Sequence, residues 1–511
     1  MVYTFRKDTS IGNLEAETDT FLDECFVETN AYNNLLNFER NTNFFKRIIV
    51  GRTGSGKTAL LKKLMEADSL YKEEEIEAEK TVFEYIRNNI FINELIEKKV
   101  DLRIFFKALW VHVILVKIIE ILTDKDTFLD TLIRKDRKDL KEYIDSYESH
   151  FFEDEALNEI TEKFTSGINS ELSRQPVKVG AGINTEEYKR TQSITNNYVN
   201  RELLTKQRKI VKYLEQFYAS DNKQKKIIIS IDDLDKSWLL NQNVKYDFIN
   251  ALLDALKEFL DICSVKVIVS IRTDILEGVY LGSLRQDEKD QSLILPIEWT
   301  EREIKEVLDK RIAFLLEDHY QKKQIPTFSK IFDFEVKKEL ADDFILKRTM
   351  LRPRDAIEFV NYCFKCADGN TEINEKHVLE AEEYYFSSRK KALGREWQSI
   401  YPEVQTYINL IHNLGQNKFN LSNLFNIKDC IKEELLKTNN DEDPLVQTLL
   451  KHDDQSIKEV IKKLLDIWFS IGIIGIHKAQ DLIVYSKFEK QHLDLSDYEK
   501  EFYIHPLFWR H

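Results

Sequence analysis

The chain is short of the residues that break regular structure. Its 511 residues include only 14 Gly and 7 Pro, too few for a loop-dominated or collagen-like protein. No internal repeat and no low-complexity tract interrupts it, which excludes a solenoid and a long disordered linker. Cysteine is also scarce. Cys25, Cys263, Cys363, Cys366 and Cys430 are odd in number and widely spread, so no disulfide framework is expected. The start, "MVYTFRKDTS", lacks the apolar core of a signal peptide. A membrane-spanning run is missing too. The most apolar stretch, Arg103–Leu122, carries Lys107, His112, Lys117 and Glu120, and reads as a buried helix of a large α/β core. Positive charge is in deficit: 75 Lys and Arg against 89 Asp and Glu give a net charge of −14. That balance argues against a protein that coats nucleic acid, where phosphate neutralisation supplies most of the affinity. The expectation is a folded, helix-rich cytoplasmic protein without a membrane anchor.

What is present begins at Arg47 with "RIIVGRTGSGKTALLKKL". A short apolar run, a glycine-rich loop and a helical pattern follow one another. The loop fits G-x-x-x-x-G-K-[ST] over Gly51, Arg52, Thr53, Gly54, Ser55, Gly56, Lys57 and Thr58. Glycines let the backbone curl so that N–H groups converge on phosphate oxygens, and the following helix adds the positive end of its dipole. Lys57 would reach the β- and γ-phosphates, and Thr58 would offer its hydroxyl to Mg2+.

Further on, "IIISIDDLD" delivers Asp232 to the end of an apolar strand, where ligands bind in open α/β sheets. Asp232 is the expected Mg2+ partner. Asp233 is placed to orient the attacking water, and Asp235 fits a helix N-cap. An aspartate at 233, one methylene shorter than glutamate, hints at slow turnover. "VKVIVSIRTD" is a second strand ending in Ser270, Arg272, Thr273 and Asp274, with Arg272 the candidate reader of a γ-phosphate. "SLILPIEW" is a third. In "TMLRPRDAIEF", Arg352 and Arg354 flank Pro353 at a helix start. They either reach the nucleotide from a helical lid or pair with Asp355. Arg285 is a candidate finger toward a neighbouring subunit. Cys363 and Cys366 have the spacing of half a zinc site but no second pair, so two thiols on a buried helix are expected. "SSRKKALGR", Ser387–Arg395, reads as a solvated basic face. His505 reads as a packed histidine. No Ser/His/Asp or Cys/His nucleophile constellation is visible.

The periodicities divide the chain into a leader over 1–45, an α/β core over 46–299 with a helical insertion at 125–220, a helical lid over 300–394 and a tail over 395–511. In the tail, helices precede "IGIIGIHKAQDLIVYSKF", the helix-then-hairpin pattern of a winged helix. Apolar positions Ile194, Tyr198, Leu203, Ile210, Leu214 and Phe217 describe one long amphipathic helix near 187–218.

The ordered set "ECFVETNAY", "GRTGSGKTA", "LWVHVI", "IDDLD", "SIRTD", "IEWTEREIKEVLDKRI", "RPRD" and "FYIHPLFW" resembles a family of bacterial P-loop ATPases. That family stands close to the STAND and KAP ATPases and to the origin-recognition branch of the AAA+-like ATPases. The similarity covers most of the chain. It is strongest from Phe21 to Asp355 and weakest in 125–220 and Lys418–Asp466. The resemblance implies an α/β fold: an ASCE/STAND-like P-loop core with a parallel sheet, a helical lid and a winged-helix end. It implies ATP and Mg2+ as cofactors, with Phe26 and Val27 near the adenine. It also implies a role in antiphage defence beside a partner protein. The expected activity is a slow ATPase switch that controls self-association or a separate effector, with the long helix as the contact. A DNA-dependent ATPase of repair or replication and an ATP-locked scaffold with little turnover are the alternatives.

Overall fold

A computed structural model describes residues 3–39, 42–67, 70, 72–78, 84–122, 138–147, 156–173, 185–220, 226–232, 234, 242–282, 290–320, 325–451, 455–478 and 483–509. Asp233, Asp235 and Arg285 lie outside these. The chain forms two compact units. One gathers Thr29–Val50 and Leu60–Leu295; the other gathers Met1–Glu28, Gly51–Ala59 and Pro296–His511.

The first unit is built on a five-stranded parallel sheet. Its strands are β1 (Ile48–Gly51), β2 (Lys72–Glu77), β3 (Ile227–Asp232), β4 (Val265–Arg272) and β5 (Ile294–Pro296), in the order β2-β3-β4-β1-β5. Continuous apolar runs form the central strands because parallel sheets are covered on both faces. Ile227–Ile231 and Val265–Ile271 are buried throughout. Register places Glu77 opposite Asp232 and Ile231 opposite Val269. The strand ending in Arg272 therefore lies between the strand ending in Asp232 and the strand that leads into the glycine-rich loop.

The helices interleaved with these strands include α1 (Asn30–Leu36), α2 (Lys57–Met65), α3 (Arg103–Leu122), α4 (Lys138–Asp145), α5 (Ala156–Ser173), α6 (Thr185–Tyr198), α7 (Thr205–Ser220), α8 (Gln242–Leu256) and α9 (Thr273–Gly282). Helix α3 is buried nearly all round and packs on α8, with the Trp110 indole donating to the Phe248 carbonyl at 3.3 Å. Lys107 pairs with Glu258 at 2.5 Å, and Nδ1 of His112 meets the Tyr143 hydroxyl at 2.7 Å. Among the described residues no helix is long and apolar enough to cross a membrane.

The long helix expected near 187–218 differs from its pattern. It is two α-helices joined by a π-helical turn, Val199–Leu204. Before the turn and at its first residue the buried positions are Thr195 and Val199, not Ile194 and Tyr198; from the end of the turn onward they are Leu203, Leu204, Gln207, Ile210, Val211 and Leu214. This apolar stripe is covered by α3, α4 and α5. It serves the unit's own core.

The leader divides between the units. Lys266 of β4 is buried and bonds the Leu35 carbonyl at 2.9 Å and the Asn37 carbonyl, which ties the end of α1 to the sheet. Residues before Glu28 belong to the second unit. There Phe5 packs on Phe364 with ring centroids 4.9 Å apart, and Asp19 pairs with buried Arg311 at 2.5 Å.

The second unit contains α10 (Glu301–Leu316), α11 (Ala341–Arg348), α12 (Pro353–Cys366), α13 (Glu375–Trp397) and α14 (Ser456–Ile471). Helix α10 opens with a capping box of Thr300 and Glu303, and α13 with one of Asn374 and His377. Pro353 sits in the first turn of α12, where its missing N–H costs nothing. Helices α12 and α13 pair through the stacked rings of Phe359 and Tyr385, 4.8 Å apart. Cys363 is buried on α12 and Cys366 half-buried. A short hairpin, β6 (Glu335–Val336) and β7 (Glu339–Leu340), precedes α11. The tail adds β8 (Lys418–Phe419), β9 (Ile474–His477), β10 (Ile483–Tyr485) and β11 (Phe502–Ile504), an antiparallel sheet in the order β10-β9-β11-β8. The expected hairpin is present, with Ile483 opposite His477. One apolar core runs from Phe5 through α10, α12 and α13 to Phe508, without a break between lid and tail.

Candidate nucleotide site

The glycine-rich loop leaves β1 at Gly51 and enters α2 at Lys57. Gly54 and Gly56 have φ of +81° and +88°, the left-handed region that side chains avoid. A Cβ at Gly54 would stand 2.9 Å from Arg354 Cβ, and one at Gly51 would stand 2.4 Å from Ser55 Oγ. The loop is therefore curled and closely lined, and glycine is required for both reasons. Lys57 Nζ folds back onto the carbonyls of Gly51 and Arg52, at 3.0 and 3.2 Å. The hydroxyls of Thr53 and Ser55 are buried without a hydrogen-bond partner. Thr58 is half-buried at the second position of α2. An ammonium group, two unsatisfied buried hydroxyls and a helix N-terminus around a glycine-lined curl suit an anionic, oxygen-rich ligand such as a phosphate chain.

The loop backbone is held by Arg352 and by two side chains that the sequence did not single out, Glu396 and Trp299. Glu396 of α13 accepts the Thr53 N–H at 3.2 Å, and the Trp299 indole donates to the Ser55 carbonyl at 2.8 Å. Arg352 donates to the Thr53 carbonyl at 3.1 Å. It is not held as an extended arm. It lies in a buried quartet with Arg389, Asp355 and Glu396: Arg352–Glu396 is 3.4 Å, Arg389–Glu396 3.2 Å and Arg389–Asp355 3.1 Å. Burial pushes the Asp355 carboxyl up and the Arg352 guanidinium down from their ordinary values. Arg389 corrects the reading of Ser387–Arg395 as a wholly solvated face. It turns inward, while Lys391 and Arg395 are exposed. Its α-helical spacing from Glu396, seven residues, could have signalled one inward face shared by opposite charges. The Arg354 N–H donates to the Gly54 carbonyl at 3.3 Å, and its side chain donates to the Leu14 carbonyl at 3.0 Å.

Val27 is buried, and the neighbouring Phe26 carbonyl accepts Lys310 Nζ at 2.8 Å. His505 is buried near Tyr485, as expected of a packed histidine. Burial and the arginines Arg348, Arg352, Arg52 and Arg389 hold its pKa down to about 3.

In the other unit, Asp232 ends β3 half-buried. Arg272 ends β4 in a two-pronged ion pair with Asp274, with Nε–Oδ1 at 2.9 Å and a second contact at 2.8 Å. Asp274 is fully buried in the first turn of α9, so the guanidinium is aimed by a rigid carboxylate. Among the described residues no group of three or more His, Cys, Asp or Glu could hold a metal by itself.

The sheet order and the loop define the class as an α/β protein whose five-stranded parallel sheet is compatible with a Rossmann or P-loop-like core. Residues 302–394, from the second residue of α10 into the last turn of α13, match a FunZ-associated C-terminal helical domain. No curated protein and no solved structure matches the chain.

Proposed function

We propose that this chain is a nucleotide-operated switch that binds ATP with Mg2+, hydrolyses it slowly, and thereby controls self-assembly or a separate effector protein in a defence-type system. The observation that carries the reading is the loop itself: a G-x-x-x-x-G-K-T curl with two left-handed glycines, which follows a strand of a parallel sheet and opens a helix. The sheet order supports it, with the Arg272 strand between the strands that lead to the loop and to Asp232. Lys57 and the loop would hold the phosphates. Thr58 and Asp232 would hold Mg2+, whose charge would offset that of the phosphate oxygens. Asp233 would orient the water and Arg272 would bind the γ-phosphate. Phe26 and Val27 would border the base. The helix-then-hairpin tail supports a winged-helix end. FunZ is linked to defence-type systems, and the matched helical domain brings that context to the proposal.

Only interactions that differ between two states move an equilibrium. In this reading α12 and α13 sense the state, because their charged quartet grips the loop directly.

The test is steady-state ATP turnover and nucleotide retention by the full chain, with and without duplex DNA, against Lys57→Ala. Ordinary enzymes turn over at about 1–10³ per second. Turnover far below that range, indifferent to DNA and abolished in Lys57→Ala, is the expected result. Strong, salt-sensitive stimulation by DNA would replace the switch with a DNA-dependent ATPase. No binding at all would remove the nucleotide reading.

A further inference from the structure

One side chain of the loop is bonded to the tail. The Arg52 guanidinium donates to the carbonyls of Ile471, at 2.8 Å, and Ser470. These are the last two residues of α14, where helix carbonyls lack partners within the helix and the macrodipole is negative. The next residue, Gly472, ends the helix with φ +86°. A Cβ there would stand 2.6 Å from an Arg52 terminal nitrogen and 3.4 Å from Met350 Cε. Beyond Gly472 the chain enters the sheet at once: the Ile473 carbonyl accepts the His505 N–H at 2.7 Å, and β9 begins at Ile474. Arg52 thus sits at the joint between the tail's helix and its hairpin sheet.

The same residue is tied to the loop's lysine. Lys57 Nζ donates to the Arg52 carbonyl at 3.2 Å. A phosphate chain in the loop competes for that ammonium group, so the restraint on the Arg52 peptide depends on loop occupancy. The guanidinium passes the change to a bonded helix end and the turn behind it.

We infer that Arg52 is a coupling residue: through its carbonyl it registers whether Lys57 is engaged by phosphate, and through its guanidinium it fixes or frees the joint between α14 and β9. This rests on the nucleotide reading above. Its consequence is reciprocal, because whatever fixes the joint changes nucleotide affinity by the same factor that nucleotide changes the joint.

The test is hydrogen exchange of amides 468–477 in the full chain, with and without the β,γ-imido analogue of ATP and Mg2+, with binding followed by calorimetry. In the unaltered chain the analogue should speed exchange at the joint roughly 5-fold or more, the lower end of typical coupling between sites. Gly472→Ala places a methyl group against the guanidinium, and Arg52→Ala removes it. At analogue concentrations that saturate each variant, the response should vanish in both. If Arg52→Ala fails to fold, Gly472→Ala, whose loop sequence is intact, decides. Bound analogue with no response in the unaltered chain, or a preserved response in Gly472→Ala, overturns the coupling and leaves the nucleotide reading standing. Absence of binding by the unaltered chain overturns both.

Discussion

Removing Glu396 should loosen the second unit. Arg352, Arg389, Asp355 and Glu396 are all at most 5% exposed, and they balance two positive against two negative charges. Glu396→Ala leaves two guanidinium groups facing one carboxylate in a dry interior. Breaking a buried pair in this way costs about 3–5 kcal/mol. The Thr53 N–H loses its acceptor as well, worth about 1 kcal/mol. The sum, about 4–6 kcal/mol, is close to half the stability of a typical domain. Charge parity supplies an internal control. Arg389→Met added to Glu396→Ala leaves Arg352 with Asp355, and should recover at least about 2 kcal/mol. The assay is native-state hydrogen exchange of α12 and α13 amides across low urea concentrations, which reads the local opening free energy without assuming that both units unfold together. A loss below about 1 kcal/mol for Glu396→Ala would refute the reasoning, because it would mean water screens the quartet. A double variant as unstable as the sum of its singles would refute it equally.

Gly54→Ala should weaken nucleotide binding while the helices remain intact. A side chain at φ +81°, with its Cβ 2.9 Å from Arg354 Cβ, costs roughly 1–2 kcal/mol in the loop alone, so affinity by calorimetry should fall about 5- to 30-fold. Asp497 should make the tail acid-sensitive. Burial alone would raise its pKa, but bonds from Lys490, from Lys500 at 2.7 Å and from the Asp494 N–H hold it down to about 2. Its folded value lies below the unfolded value of about 4. The stabilisation is therefore full above about pH 4 and is lost as pH falls toward 2. After solvent screening it is worth about 1 kcal/mol. Exchange at 494–500 should rise across that window in the unaltered chain and be flatter in Asp497→Asn.

Strands were legible wherever apolar runs met acids. The apolar runs at Ile227–Asp232 and Val265–Arg272 form strands, because a strand buried on both faces needs an unbroken apolar run, while Thr273 and Asp274, read with the second strand, open α9 instead. The loop was legible because its geometry demands glycine at fixed positions. What holds the loop was not. Glu396 and Arg389 lie in a stretch that looks solvated, and only the fold brings Asp355 and Arg352 from a separate helix to neutralise them. Buried charge reads like surface charge when its partners are distant in sequence. The leader could not be divided from sequence either. Lys266 fastens Asn34–Asn37 to one unit while Arg311 fastens Asp19 to the other, and both partners lie more than two hundred residues away.

The π turn at Val199–Leu204 keeps the two halves of the 185–220 rod in phase. An α-helix advances about 100° per residue, and one wide turn of i to i+5 bonds takes up an extra residue. The turn therefore keeps the buried positions of the two halves on one side of the rod, where α6 lies on α5, and α7 lies on α4 and α3. In a straight α-helix of the same sequence the second half's seam would stand about 100° from the first. Straightening the turn with no residue removed would swing one half's seam by about 100° and turn Thr195 and Val199, or Ile210 and Leu214, toward solvent, whereas deleting one residue within 199–204 would give a uniform pitch with both halves still in phase. The wide turn works as a phase-setting joint: it locks the angular position of one half relative to the other, so the rod cannot slide or rotate by a residue without unseating one of its two packed faces.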